Sequence, residues 1–220
     1  KTLKTYASYK KTLKNINIIL SNGEKIHLDE WLTQLASLSV DITQDRITYI
    51  EKLSSIFNEN KSKSFVNLLD SSSSFIFELQ NGWSKETDPL NKQNITSFLL
   101  NSKRTLERNK HLNYGPHRAS VDFSLNGQSE NYLSRGEQKK MSIVFWALQV
   151  LALVKKGKKP IVLIDDISSE LDNIKIKSIL DFLADLEVQI FMTDIGNKKL
   201  PLREKASAIY NIENGVITGL

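Results

Sequence analysis

Leu3, Tyr6, Leu13, Ile16 and Leu20 recur at helical spacing with Lys1, Lys4 and Lys11 on another face, which predicts an amphipathic helix over residues 2–20. Asn22-Gly23 stops it. A second helix is expected from residue 28 to about 58: Asp29 and Glu30 favour its start, and Trp31, Leu35, Leu38, Ile42, Tyr49, Leu53 and Ile56 form its apolar stripe. Phe75-Ile76-Phe77-Glu78-Leu79 then reads as a strand ending at Asn81-Gly82. Residues 90–111 are polar and broken in period, with a helix through residues 95–99. The turn residues Gly115-Pro116 mark a change of character, and a boundary is placed near residue 112.

Beyond that boundary the pattern alternates. A strand at 120–125, the turn Asn126-Gly127, a helix from Ser134 to about Lys156, a strand at 161–164, a helix at 175–186 and a strand at 189–193 follow one another. Such alternation implies a parallel sheet with crossover connections. The uninterrupted run Ile161-Val162-Leu163-Ile164 is expected to be buried on both faces. Residues 208–211 and 215–218 are expected to close the chain as a hairpin.

Composition narrows the classes. A hydrophobic fraction of 40% over 220 residues supplies a core, and 25% charged residues of mixed sign argue against disorder. The absence of cysteine excludes disulfides and thiolate metal sites and agrees with a reducing cytoplasm. The longest apolar run, 143–154, is broken by Gln149 and is shorter than the roughly 20 residues a membrane helix needs, so no membrane span is expected. The net charge of +5 permits a polyanionic partner without demanding one. The excess lies in residues 1–110, with 16 Lys and Arg against 12 Asp and Glu.

Two segments carry chemistry. Leu133-Ser134-Arg135-Gly136-Glu137-Gln138 opens the long apolar helix; Ser134 and Glu137 have capping-box spacing, and the same helix start presents unpaired N–H groups to an anion, with Gly136 allowing close approach. Both readings can hold together. Asp165 and Asp166 stand at the C-terminal end of a strand, where open α/β sheets bind ligands. They either cap a turn or serve a nucleotide, the first carboxylate holding Mg²⁺ through water and the second orienting or deprotonating the water that attacks a γ-phosphate.

In order, Leu-Ser-Arg-Gly-Glu-Gln, the strand with Asp165-Asp166, and Ser169-Glu170-Leu171-Asp172 resemble the signature loop, Walker B strand and D-loop of ABC-type ATPases. Within that superfamily the chain resembles the RecF family of DNA recombination and repair proteins. Tyr114-Gly115-Pro116-His117-Arg118 precedes a strand, Gly82-Trp83-Ser84-Lys85-Glu86-Thr87 follows one, and Asp165-Asp166 stands where most ABC proteins have Asp-Glu. The likeness runs from Leu13-Lys14-Asn15 to Gly215-Val216-Ile217-Thr218.

This resemblance implies an α/β ABC-type head, residues 112–220, with a mostly parallel sheet flanked by helices, and a mostly helical arm, residues 1–111. It implies that the signature loop (Ser134, Arg135, Gly136, Glu137, Gln138) serves ATP held by the opposite subunit of a homodimer, with Ser134 and Gly136 contacting its γ-phosphate. Asp165 would support Mg²⁺, Asp166 would be the catalytic carboxylate, and Ser169, Glu170, Leu171 and Asp172 would form the D-loop. Thr193-Asp194 occupies the usual switch-histidine position, so no histidine assists there. The complete protein would bind double- and single-stranded DNA and their junctions, act with RecO and RecR, and promote RecA loading at single-strand gaps in the SOS response, as a cytoplasmic, nucleoid-associated bacterial protein.

No G-x-x-x-x-G-K-[ST] phosphate loop occurs in the chain, and its first residue is Lys1 rather than Met. The resemblance places that loop upstream, so the chain is expected to be the C-terminal part of a longer protein and to hydrolyse ATP negligibly by itself. His117 in its Gly-Pro turn is expected to be structural. Lys1, Lys4 and Lys11 form either a solvated face or a contact to DNA phosphates. The competing reading is a non-catalytic module that keeps the fold and only binds protein or DNA.

Overall fold

The structure, a computed structural model, describes residues 2–24, 26–60, 69, 74–167, 172–195 and 208–219. The chain divides into two compact units, residues 1–54 with 75–131 and residues 55–74 with 132–220.

In the first unit, α1 (Thr2–Asn22) and most of α2 (Leu28–Glu59) form long helices, followed by α3 (Lys92–Asn101) and α4 (Lys103–Asn109). Their apolar stripes meet in one core that includes Ile16, Leu20, Leu32, Leu35, Ile42, Ile95, Leu99 and Leu106, all 2% exposed or less. Burying each such side chain is worth about 1.5–3 kcal/mol. The α1 stripe differs from expectation at its start: Leu3 is 87% exposed, and the buried line runs Tyr9, Thr12, Ile16, Leu20. The polar stretch at 90–111 forms two helices rather than one. Asn91 caps α3 by accepting from the Asn94 amide at 3.1 Å.

β1 (Phe75–Gln80) pairs antiparallel with β2 (Ser120–Leu125), and β2 with the short β3 (Gln128–Ser129) across Asn126-Gly127. Both turn residues have positive φ, 52° and 78°, the conformation that Asn-Gly adopts most readily in a two-residue hairpin loop. β2 therefore belongs to this antiparallel sheet and not to the parallel one. Phe75 stacks on Phe123 at 6.0 Å across the pair, and this pairing carries the first unit past residue 112 to residue 131.

The second unit holds α5 (Arg135–Val154), β4 (Ile161–Ile164), α6 (Asn173–Asp185) and β5 (Gln189–Met192). Met141, Val144, Leu148 and Leu151 of α5 and Ile176, Ile179, Leu180 and Leu183 of α6 are buried at helical intervals. β4 and β5 pair in parallel, joined through α6, as the alternation requires. Burial of β4 on both faces is not found. Val162 is 3% exposed, but Ile161 and Leu163 are 60% and 73% exposed, because only one face of the strand is covered among the described residues. β6 (Tyr210–Glu213) and β7 (Val216–Gly219) form the expected hairpin, two residues later at its first strand, turning at Asn214-Gly215. No helix among the described residues is long and apolar enough to cross a membrane.

Candidate nucleotide site

The first group of site residues lies at the start of α5. Ser134 takes extended backbone angles, and its Oγ accepts from the Glu137 amide at 3.3 Å while donating to Glu137 Oε2 at 2.7 Å. The same carboxylate oxygen accepts from the Ser134 amide at 2.9 Å, completing the capping box that the spacing predicts. These bonds from Ser134 hold the Glu137 carboxyl below its ordinary pKa. Gln138 continues the helix, its amide bonding to the Ser134 carbonyl at 3.0 Å. Arg135 and Gly136 are exposed, and a Cβ on Gly136 would meet nothing within 4 Å. The chain's own packing does not require glycine there.

The second group sits where the two parallel strands end. Ile164 is in register with Met192, so the next residues, Asp165 and Thr193, emerge side by side. The Thr193 hydroxyl donates to Asp165 Oδ1 at 2.5 Å and accepts from the Asp166 amide at 2.9 Å. The Thr193 backbone is tied to both sides of the same turn: its amide donates to the Ile164 carbonyl at 2.9 Å, and its carbonyl accepts from the Ile167 amide at 3.2 Å. Asp166 has φ of 47°, a left-handed conformation that Asp tolerates better than most residues and that the bonds from Thr193 help to hold. The sequence marks Thr193 only as the residue at the switch-histidine position; its bond to the carboxylate 28 positions away follows from the parallel register of β4 and β5.

Asp172 N-caps α6, accepting from the Lys175 amide at 2.9 Å and pairing with the Lys175 ammonium, and those bonds lower its pKa. Ser169, Glu170 and Leu171 lie outside the described residues, as does Lys1. Asp194 follows Thr193 and is half-buried. Lys4 and Lys11 are exposed on α1.

Among the described residues no group of three or more His, Cys, Asp or Glu can hold a metal. The oxygen donors at Asp165 nevertheless fit Mg²⁺, which is commonly bound through one or two carboxylates with waters and phosphates completing its octahedron. One oxygen of that carboxylate is already oriented by Thr193.

No family model matches the chain. It is 27% identical over 205 residues to the DNA replication and repair protein RecF of Geotalea uraniireducens, a match covering 91% of this chain and 55% of that protein. It is 28% identical over 221 residues to the RecF of Geotalea daltonii, covering 98% and 59%, and 28% identical over 215 residues to that of Clostridium botulinum, covering 95% and 57%. The chain thus spans a little over half the length of the curated relatives it matches. A solved structure of the recombination mediator protein RecF with ATP, from the RecFOR pathway, shares its fold with a TM-score of 0.74 at 22% identity, covering 100% of this chain and 58% of that one. The resemblance to RecF and the α/β ABC-type fold expected from the motifs are both borne out.

Proposed function

We propose, from the kinship of this chain with the RecF proteins, that it supplies two halves of composite ATP sites in a DNA repair ATPase: a signature loop at Ser134 and a carboxylate pair at Asp165 and Asp166. The observation that carries this reading is the group at the ends of β4 and β5, where Thr193 binds both Asp165 and the Asp166 amide at the ligand-binding edge of a parallel sheet.

In this reading Asp165 would hold Mg²⁺ through its water shell, and the ion would supply positive charge beside the nucleotide phosphates. Asp166 accepts a proton from, or orients, the attacking water, and its side chain is shorter than the glutamate of most ABC proteins. The Arg135 and Gly136 amides at the start of α5 receive the γ-phosphate of a nucleotide held by a second subunit, the bare surface at Gly136 allowing close approach, and Ser134 joins them once its hydroxyl turns away from Glu137. Asp172 lies near the dimer seam. The complete protein uses this association as an ATP-dependent clamp on DNA, closed by two sandwiched nucleotides and released by hydrolysis, with RecO and RecR as partners and RecA loading as the outcome. Residues 112–220 act as the head and 1–111 as the arm, whose exposed Lys4 and Lys11 meet DNA phosphates.

The test joins this chain to a RecF-type N-terminal region bearing a phosphate loop and follows light scattering with and without ATP. ATP-dependent dimers that persist longer in Asp166→Asn, which keeps the left-handed backbone, are expected. A monomer at all ATP concentrations despite a working phosphate loop would favour the non-catalytic binding module.

A further inference from the structure

We propose that Thr193 is a positioning residue for the carboxylate pair and does not itself touch the nucleotide. This rests on the reading of Asp165 and Asp166 given above. The hydroxyl of Thr193 carries a single hydrogen, and that hydrogen is directed at Asp165 Oδ1. One lone pair is taken by the Asp166 amide. With its only donor spent on a carboxylate, the hydroxyl has nothing to offer a phosphate oxygen, which is purely an acceptor.

The clamp performs two tasks at once. It holds one oxygen of Asp165 and so restricts the rotation of that carboxylate. It also anchors the amide of Asp166, whose φ of 47° sets where that side chain leaves the backbone. The parallel register keeps the clamp level with both residues, and the backbone bonds from Thr193 to Ile164 and Ile167 prevent it from sliding along the strands. Outer-shell partners of this kind typically change metal affinity by about 10- to 100-fold when removed.

The test uses the full chain labelled with ¹⁵N, sub-stoichiometric MnCl₂ as a paramagnetic stand-in for Mg²⁺, and the variants Thr193→Val and Thr193→Ser. Wild type should show line broadening centred on the amides of Asp165 and Asp166. Thr193→Val should weaken it by roughly tenfold in Mn²⁺ concentration and speed hydrogen exchange at the Asp166 amide, whereas Thr193→Ser should restore both. Broadening in Thr193→Val equal to wild type would overturn the positioning role. Absence of local broadening in wild type itself would instead overturn the metal-binding reading of the carboxylates, and this proposal with it. Spectra of Thr193→Ser separate a lost hydroxyl from a lost fold, since that variant keeps the donor and changes only a methyl group.

Discussion

The phenol of Tyr9 donates to Nδ1 of His117 at 2.7 Å across 108 positions of sequence. Nε2 of the same ring stands 3.1 Å from the Leu112 carbonyl, which only accepts, so Nε2 carries a proton, and burial, which lowers the ring's pKa, favours the neutral form in which Nδ1 accepts from Tyr9. His117 thus fastens the Tyr114–Arg118 segment to α1, in keeping with a structural role.

This arrangement makes the first unit sensitive to acid. Burial of the ring is the main cause that lowers the His117 pKa, although parts of the residue are exposed, and Arg118 adds to it against the opposing bond from Leu112. Between the lowered folded value and the ordinary 6.5, the unfolded chain binds more protons, so this contribution is full above 6.5 and is lost as the pH falls below it. Urea midpoints measured from pH 7.5 down to 5 should decline, and His117→Gln should flatten that decline. An unchanged slope in the variant would assign the loss to other groups.

Arg46 should not tolerate lysine. Its Nη1 donates to the Pro116 carbonyl at 2.5 Å, its Nε to the Tyr6 hydroxyl at 2.9 Å, and its guanidinium lies 5.5 Å from the centre of the Tyr6 ring. A single ammonium cannot reproduce two donors set in one plane. Arg46→Lys is expected to cost about 1–2 kcal/mol in denaturant unfolding, and a loss within error of zero would show that water replaces both bonds.

Two glycines should respond in opposite ways. Gly82 has φ of 82°, and a Cβ there would stand 2.3 Å from the Gly115 carbonyl oxygen and 2.9 Å from the Ala119 amide, so Gly82→Ala should destabilise the first unit by about 2–3 kcal/mol. Gly136→Ala meets open space and should leave the melting temperature unchanged or slightly raised. In the protein completed with a phosphate loop, however, the added methyl should weaken ATP-dependent association. Equal association by Gly136→Ala and wild type would mean that no phosphate approaches that turn.

Removal of the Ser134 hydroxyl is expected to cost about 1 kcal/mol of stability, as for other caps. The Glu137 carboxyl, lowered by its bonds from Ser134, contributes stability above its ordinary value of 4.5 that is lost as the pH falls through the folded value. Ser134→Ala should therefore raise the Glu137 pKa, read by NMR titration of its side chain. A titration curve identical to wild type would remove the capping box from solution.

Much of this molecule was settled by local sequence. The helical periods of α1, α2, α5 and α6 placed those helices to within a few residues, and the Ser134 to Glu137 spacing disclosed the cap because both partners lie within one turn. Asn126-Gly127 marked a turn for the same reason, though not the short strand β3 that follows it. Tertiary structure alone decided that β2 turns back on β1, that Ile161 and Leu163 stand in the open, and that Thr193 meets Asp165. A strand's period of two tells which residues share a face but not which neighbour it finds or what covers that face. The ends of β4 and β5 came together only when the parallel register was set, and that register makes Asp165, Asp166 and Thr193 one hydrogen-bonded group rather than three separate residues.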